Sequence, residues 1–194
     1  HIAAKTWKEI KLNFESVGKP VLLFTATPFR NDGGRIEGET IYNYPLSLAQ
    51  RDKYYEKIIF APIVDFNPAT ADKKIAEKAI ETLKRDLESG YDHILMARVD
   101  ERKKAEDIYE QIYKYYSDYS PVFIHSGISK TLQREILEGI KEKKHRIIVC
   151  VDMLGEGFDL PLLKICAMHE MHKNITTSFQ FIGRFTTTTG SNLG

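Results

Sequence analysis

Cysteine is scarce, neither sign of charge is in excess, and no apolar stretch is long. The two cysteines, Cys150 and Cys166, each sit inside an apolar run with no second Cys or His at metal-ligand spacing. That excludes a disulfide framework or a zinc knot and leaves two reduced core residues. With 28 basic against 27 acidic residues the net charge is +1, so no global field attracts a polyanion. Any site for nucleic acid must be local. No run of about eighteen apolar residues occurs, and the start has no signal-peptide pattern. The expected setting is cytoplasmic, with no membrane partner.

What is present is enough apolar material, 42% of 194 residues, for one good core and part of a second. Trp7, Ile10, Leu12 and Phe14 predict a short helix, Gly18-Lys19-Pro20 a break, and Val21–Phe24 a buried strand. The polar Asn31–Thr40 stretch reads as a linker. Ile58-Ile59-Phe60 and Ile63-Val64 read as strands leading into a second domain. Ile75, Ala79, Ile80, Leu83 and Leu87 then share one helical face, ended by Gly90.

Strand and helix alternate from there. The strands are His93–Ala97, Val122–Ile124, Arg146–Val151 and Leu162–Met168. Between them run a helix lined by Ala105, Ile108, Tyr109, Ile112 and Tyr116 and another lined by Leu132, Ile136, Leu137 and Ile140. Near-continuous apolar strands alternating with amphipathic helices predict an α/β fold, a parallel sheet covered on both faces. In such sheets ligands bind beyond the carboxyl ends of the strands. The distinctive loops of this chain fall at those ends.

Three loops stand out. Leu22-Leu23-Phe24-Thr25-Ala26-Thr27-Pro28 runs from an apolar stretch into small hydroxyl residues. Asp152-Met153-Leu154-Gly155-Glu156-Gly157-Phe158-Asp159-Leu160-Pro161 follows a strand, and Gln180-Phe181-Ile182-Gly183-Arg184 comes about twenty residues later. Glycines allow close backbone approach to a ligand, and a guanidinium can meet the same anion as backbone N–H groups. Each loop also has a plain reading. Thr25 and Thr27 alone are turn residues bonding their own backbone, and two nearby glycines are common in turns. His125-Ser126 after a strand has no acid nearby in sequence to orient the His as a catalytic base. Arg98 ahead of Asp100–Lys104 reads, taken alone, as part of a solvated charge run. Tyr109–Tyr119 reads as packing rather than base stacking. His169, Glu170 and His172 follow a strand rather than sharing a helix face, which argues against a metal set.

In this order the loops resemble the superfamily 2 helicases and translocases of the DEAD/DEAH type, related to restriction-enzyme motor subunits and DNA-repair helicases. Thr25-Ala26-Thr27-Pro28 resembles their motif III, Val151–Pro161 motif V and Gln180–Thr187 motif VI. The resemblance implies two RecA-like domains clamping ATP and Mg²⁺, with residues 1–36 the tail of the first domain, 37–190 the second (helicase C-terminal) domain and 191–194 a flexible tail. It implies nucleotide contacts from Gly155, Gly157, Asp159 and Gly183, and catalytic roles for Gln180 and Arg184. Coupling to nucleic acid or between domains falls to Thr25, Thr27, Arg98, His125 and Ser126. His1 stands at or beside the last letter of the family's Asp-Glu-x-His box, so no metal ligand is expected from the rest of the chain.

The implied partners are nucleic acid, DNA ahead of RNA, and the remainder of the first domain. The phosphate-cradling Gly-x-x-x-x-Gly-Lys-Ser/Thr loop is missing from these residues, so the chain reads as a fragment that by itself hydrolyses negligible ATP. Motif VI departs from its pattern, because Thr187 stands where relatives carry a second arginine. Three explanations are open: Arg184 alone suffices, the arginine finger lies elsewhere, or hydrolysis is crippled. The last would make this a degenerate RecA-like module serving as a nucleotide-gated switch or a docking platform.

Overall fold

A computed structural model of the chain describes residues 5–25, 38–55, 57–151, 160–170 and 185. Its centre is a four-stranded, all-parallel sheet in the order β2-β3-β1-β4. The strands are β1 (Ile94–Val99), β2 (Val122–Ile124), β3 (Ile147–Val151) and β4 (Leu163–Met168). The helices are α1 (Lys5–Ser16), α2 (Leu46–Arg51), α3 (Pro68–Glu88), α4 (Arg102–Gln111) and α5 (Lys130–Lys141).

Alternation along each strand divides the core into two layers. Leu95, Ala97, Val99, Ile147, Val149, Ile165 and Ala167 face α3 and α4. Ile94, Met96, Ile148, Cys150 and Leu163 face the α5 side, where Ile140 is fully buried. All six residues of β1 are buried, as its place between β3 and β4 demands.

Local chemistry sets the helix limits. Asp65 holds the approach to α3, accepting the Asn67 N–H at 2.9 Å and the Thr70 hydroxyl at 2.8 Å and pairing with Lys74 at 2.8 Å. Those contacts, Lys74 foremost, lower its carboxyl to about 2. At the far end Gly90 takes φ +86°, and the N–H groups of Gly90 and Tyr91 close on Leu87 and Asp86, satisfying carbonyls of the last turn. Ser129 caps α5 by accepting the Leu132 N–H at 3.2 Å.

Four expectations change. Val21–Phe24 forms no strand, and Phe24 is 92% exposed. Ile58–Phe60 and Ile63–Val64 are likewise exposed and outside any sheet. A strand exists only through ladder bonds to a neighbour, and none of the described residues pairs with these segments. Leu132 points outward from α5. The helix carrying Ile108 stops at Gln111 and gives way to two 3₁₀ turns, Tyr113–Tyr115 and Ser117–Tyr119. Tyr113, Tyr116 and Tyr119 therefore recur every three residues along one packed edge, the period of that tighter coil.

Candidate functional site

Because every strand runs the same way, the four carboxyl ends share one edge. The last row across the sheet is Ile124, Cys150, Arg98 and Met168, and the row beyond it pairs Val151 with Val99. In sequence, Asp152–Asp159 follows the end of β3, and Gln180 and Arg184 come after the end of β4.

Arg98 is the largest side chain that is almost wholly enclosed, 1% exposed on the α5 side of β1. Its Nη2 meets Asp100 Oδ1 at 2.6 Å. The solvated-charge-run reading therefore does not hold for Arg98, whose enclosed guanidinium is met from the rim by the exposed Asp100 carboxylate. Removing Asp100 would take a charged partner from an enclosed guanidinium, a costly change. The Cys166 thiol nearby is raised chiefly by desolvation, which keeps it protonated and unreactive. Both cysteines are free, in keeping with the core reading.

Across the edge, His125 is buried against Phe123, with ring centroids 4.9 Å apart. Its Nδ1 accepts the Gly127 N–H at 3.0 Å, so the neutral ring carries its proton on Nε2. Burial first, and then the Arg102 charge, push His125 below its ordinary value, with Glu106 opposing. A buried neutral imidazole with no acid behind it suits a loop anchor and does not suit a catalytic base. The Ser126 hydroxyl beside it is exposed. Arg102 lies over the same turn, since a Cβ at Gly127 would come within 2.8 Å of its Nη1. Bare glycine backbone, an exposed serine and a guanidinium thus meet at one corner. In sequence Arg102 has no distinction from its charged neighbours; its place in the first turn of α4, after the β1 end, was the available signal.

A second cluster lies on the α3/α4 side of the edge. His169, directly after β4, has Nδ1 at 2.7 Å from Asp72 Oδ1 of α3 and Nε2 at 2.9 Å from the buried Tyr113 hydroxyl. Glu170 accepts the Asp100 N–H at 2.7 Å and pairs with Lys104 of α4 at 3.3 Å. His169 and Glu170 are therefore bound into the fold. Among the described residues no group of three metal-ligating side chains occurs, and His172 lies outside them.

Of the residues singled out from the sequence, the edge brings together Arg98, His125 and Ser126. Thr25 is described but exposed and outside any element. His1, Thr27, Gly155, Gly157, Asp159, Gln180, Gly183, Arg184 and Thr187 lie outside the described residues. Tyr109 stacks on Phe123 at 5.9 Å and Tyr113 is fully buried, so the tyrosines at those positions pack. Among the described residues no helix is long and apolar enough to cross a membrane.

A parallel sheet in the order β2-β3-β1-β4, with helices on both faces, is the RecA-like architecture of a helicase second domain. Residues 73–186, more than half of the chain, match the model of the helicase conserved C-terminal domain. The chain belongs to that family, within superfamily 2. It is 27% identical over 128 residues to the UvrABC system protein B of Chlamydia abortus, an alignment covering 63% of this chain and 19% of that protein. It is 28% identical over 82 residues to a probable ATP-dependent RNA helicase, DDX59, of Rattus norvegicus, covering 42% and 14%. Among solved structures, the DUF1998 helicase MrfA bound to DNA superposes with a TM-score of 0.51 at 23% identity, over 64% of this chain and 17% of MrfA. The chain thus spans about a fifth of the length of the UvrB relative.

Proposed function

We propose that this chain supplies the second-domain half of an ATP-driven nucleic-acid helicase or translocase. Residues 1–36 would belong to the first RecA-like domain and 37–190 to the second. The observation that carries the reading is the convergence of all four strand ends on one edge, with Asp152–Asp159 following β3 and Gln180–Arg184 following β4 in sequence. The donor set suits a nucleotide: Gly155, Gly157 and Gly183 offer backbone approach to phosphate, Asp159 can accept from a ribose hydroxyl, and Gln180 and Arg184 can meet the terminal phosphate. Bound Mg²⁺ would come with the phosphates, keeping several waters and neutralising charge that develops during phosphoryl transfer. This chain's own residues would position and stabilise charge, which is most of what such chemistry asks of a protein.

On the nucleic-acid side, the corner of Ser126, Gly127 and Arg102 is the best described candidate for a backbone phosphate, with His125 bracing the turn. Arg98 would act from beneath, holding Asp100 and the start of α4 in place. Thr25 and Thr27 would relay nucleotide state between the domains. DNA ahead of RNA is our reading of the track, on the resemblance to restriction-enzyme and DNA-repair motors; the MrfA structure is described as bound to DNA and the DDX59 relative is named an RNA helicase. The test is ATP hydrolysis by the whole motor protein with single-stranded DNA, duplex DNA or RNA, at two salt concentrations. Stimulation by a polymer, strongest with DNA and weakened by salt, is the expected result. Turnover indifferent to every polymer would refute a motor.

A further inference from the structure

The Asp72, His169 and Tyr113 cluster joins three elements far apart in sequence, and the roles above make no use of it. The His169 side chain is fully enclosed, Tyr113 is fully buried, and Asp72 keeps 20% of its side chain exposed. A carboxylate only accepts, so His169 Nδ1 donates to Asp72. In the neutral ring Nε2 is then left to accept from the Tyr113 hydroxyl. With Asp72 ionised and the ring neutral, this is the one arrangement that satisfies both contacts. Burial raises the Asp72 carboxyl, yet the His169 hydrogen bond, the His169 charge when present and Lys104 outweigh it and leave the group lowered.

The surroundings extend the same fixation. The His169 N–H donates to the Arg98 carbonyl at 3.1 Å, prolonging the β4–β1 ladder past the end of the strand. Lys104 lies 3.8 Å from Asp72 and 3.3 Å from Glu170, and its ammonium reaches the His169 carbonyl at 3.5 Å. Glu170 in turn holds the Asp100 N–H. The end of β4 is tied to α3, α4, the first 3₁₀ turn and the end of β1 at once.

We infer that Asp72, His169 and Tyr113 form a positioning relay, with His169 held as its Nδ1–H tautomer, that fixes the end of β4, upstream of Gln180 and Arg184 in the chain. The inference rests on the proposed motor. His169 touches no reacting atom; it is a positioning residue that acts through the end of β4 it braces. A small displacement of a charge-stabilising group costs about a hundredfold in rate. Weakening the relay should therefore lower kcat for ATP by roughly ten- to a hundredfold with KM changed less than about twofold.

The experiment pairs ¹⁵N NMR of the His169 ring with steady-state kinetics of the whole motor carrying Asp72→Asn, which keeps shape and removes charge. Tyr113→Phe serves as a second variant that preserves burial. The expected results are an Nδ1-protonated ring in the unsubstituted protein, a shifted tautomer balance in Asp72→Asn, and the kcat loss at near-constant KM. A ring protonated on Nε2, or a folded Asp72→Asn motor with unchanged kcat, would overturn the relay alone. Absence of ATP turnover in the unsubstituted motor would instead overturn the motor reading, and the positioning role with it.

Discussion

Replacing Arg184 with alanine is expected to lower ATP turnover by the whole motor about 10³-fold or more. A guanidinium that meets the terminal phosphate across a domain cleft is worth roughly 10³ to 10⁵ in rate, or about 4 to 7 kcal/mol of barrier. Neither lysine nor threonine reproduces its planar, two-pronged geometry. Thr187 makes the companion substitution informative. If Arg184 carries the role alone, Thr187→Arg changes kcat by less than about tenfold. A gain near the full finger value would mean that the native site binds nucleotide without productive turnover, the behaviour of a nucleotide-gated switch. Nucleotide affinity is to be measured beside kcat, because a finger acts mainly on the transition state and should leave binding nearly intact.

Leu83→Ala in α3 is expected to destabilise the sheet domain by about 2 to 5 kcal/mol, measured as a lower urea midpoint followed by far-UV circular dichroism. Leu83 is fully buried beside Ala76, Ala79 and Ile80 against the sheet, so truncation removes apolar burial and leaves a cavity that the packed layer can close only in part. Lys84, the next residue, faces solvent and pairs loosely with Glu88 at 3.9 Å. Its substitution by alanine should shift stability by no more than about 0.5 kcal/mol. Equal effects at the two positions would contradict the layer assignment.

The sheet and its helices were legible because their signals are local. Ile147–Val151 is an unbroken apolar run, as a strand buried on both faces requires, and α3 repeats its apolar residues at helical spacing up to Gly90. Val21–Phe24 and Ile58–Phe60 carry the same run-like signal and form no strand. Pairing depends on a neighbour that composition cannot supply. At Tyr116 the spacing from Ile112 continued a helical pattern, but the backbone tightens after Gln111 and the tyrosines pack at a period of three.

The site divides in the same way. His125, Ser126 and Arg98 could be placed at the strand ends from sequence, because a parallel sheet sends those ends to one edge. That Arg98 is enclosed and joined to Asp100 could not, since burial of a charge is set by what packs around it. The relay was further out of reach, because Asp72 and Tyr113 lie 97 and 56 positions from His169. Beside Glu170 and His172, the His169 side chain suggested only an imitation metal set, and its partners come from two other elements.

The most direct test of the nucleotide assignment is photo-cross-linking of an ATP analogue to the whole motor protein, with the labelled peptides identified by mass spectrometry. The account predicts labelling within Gly155–Asp159 and at or beside Arg184, suppressed by excess ATP. Competable labelling that never touches either segment would contradict it.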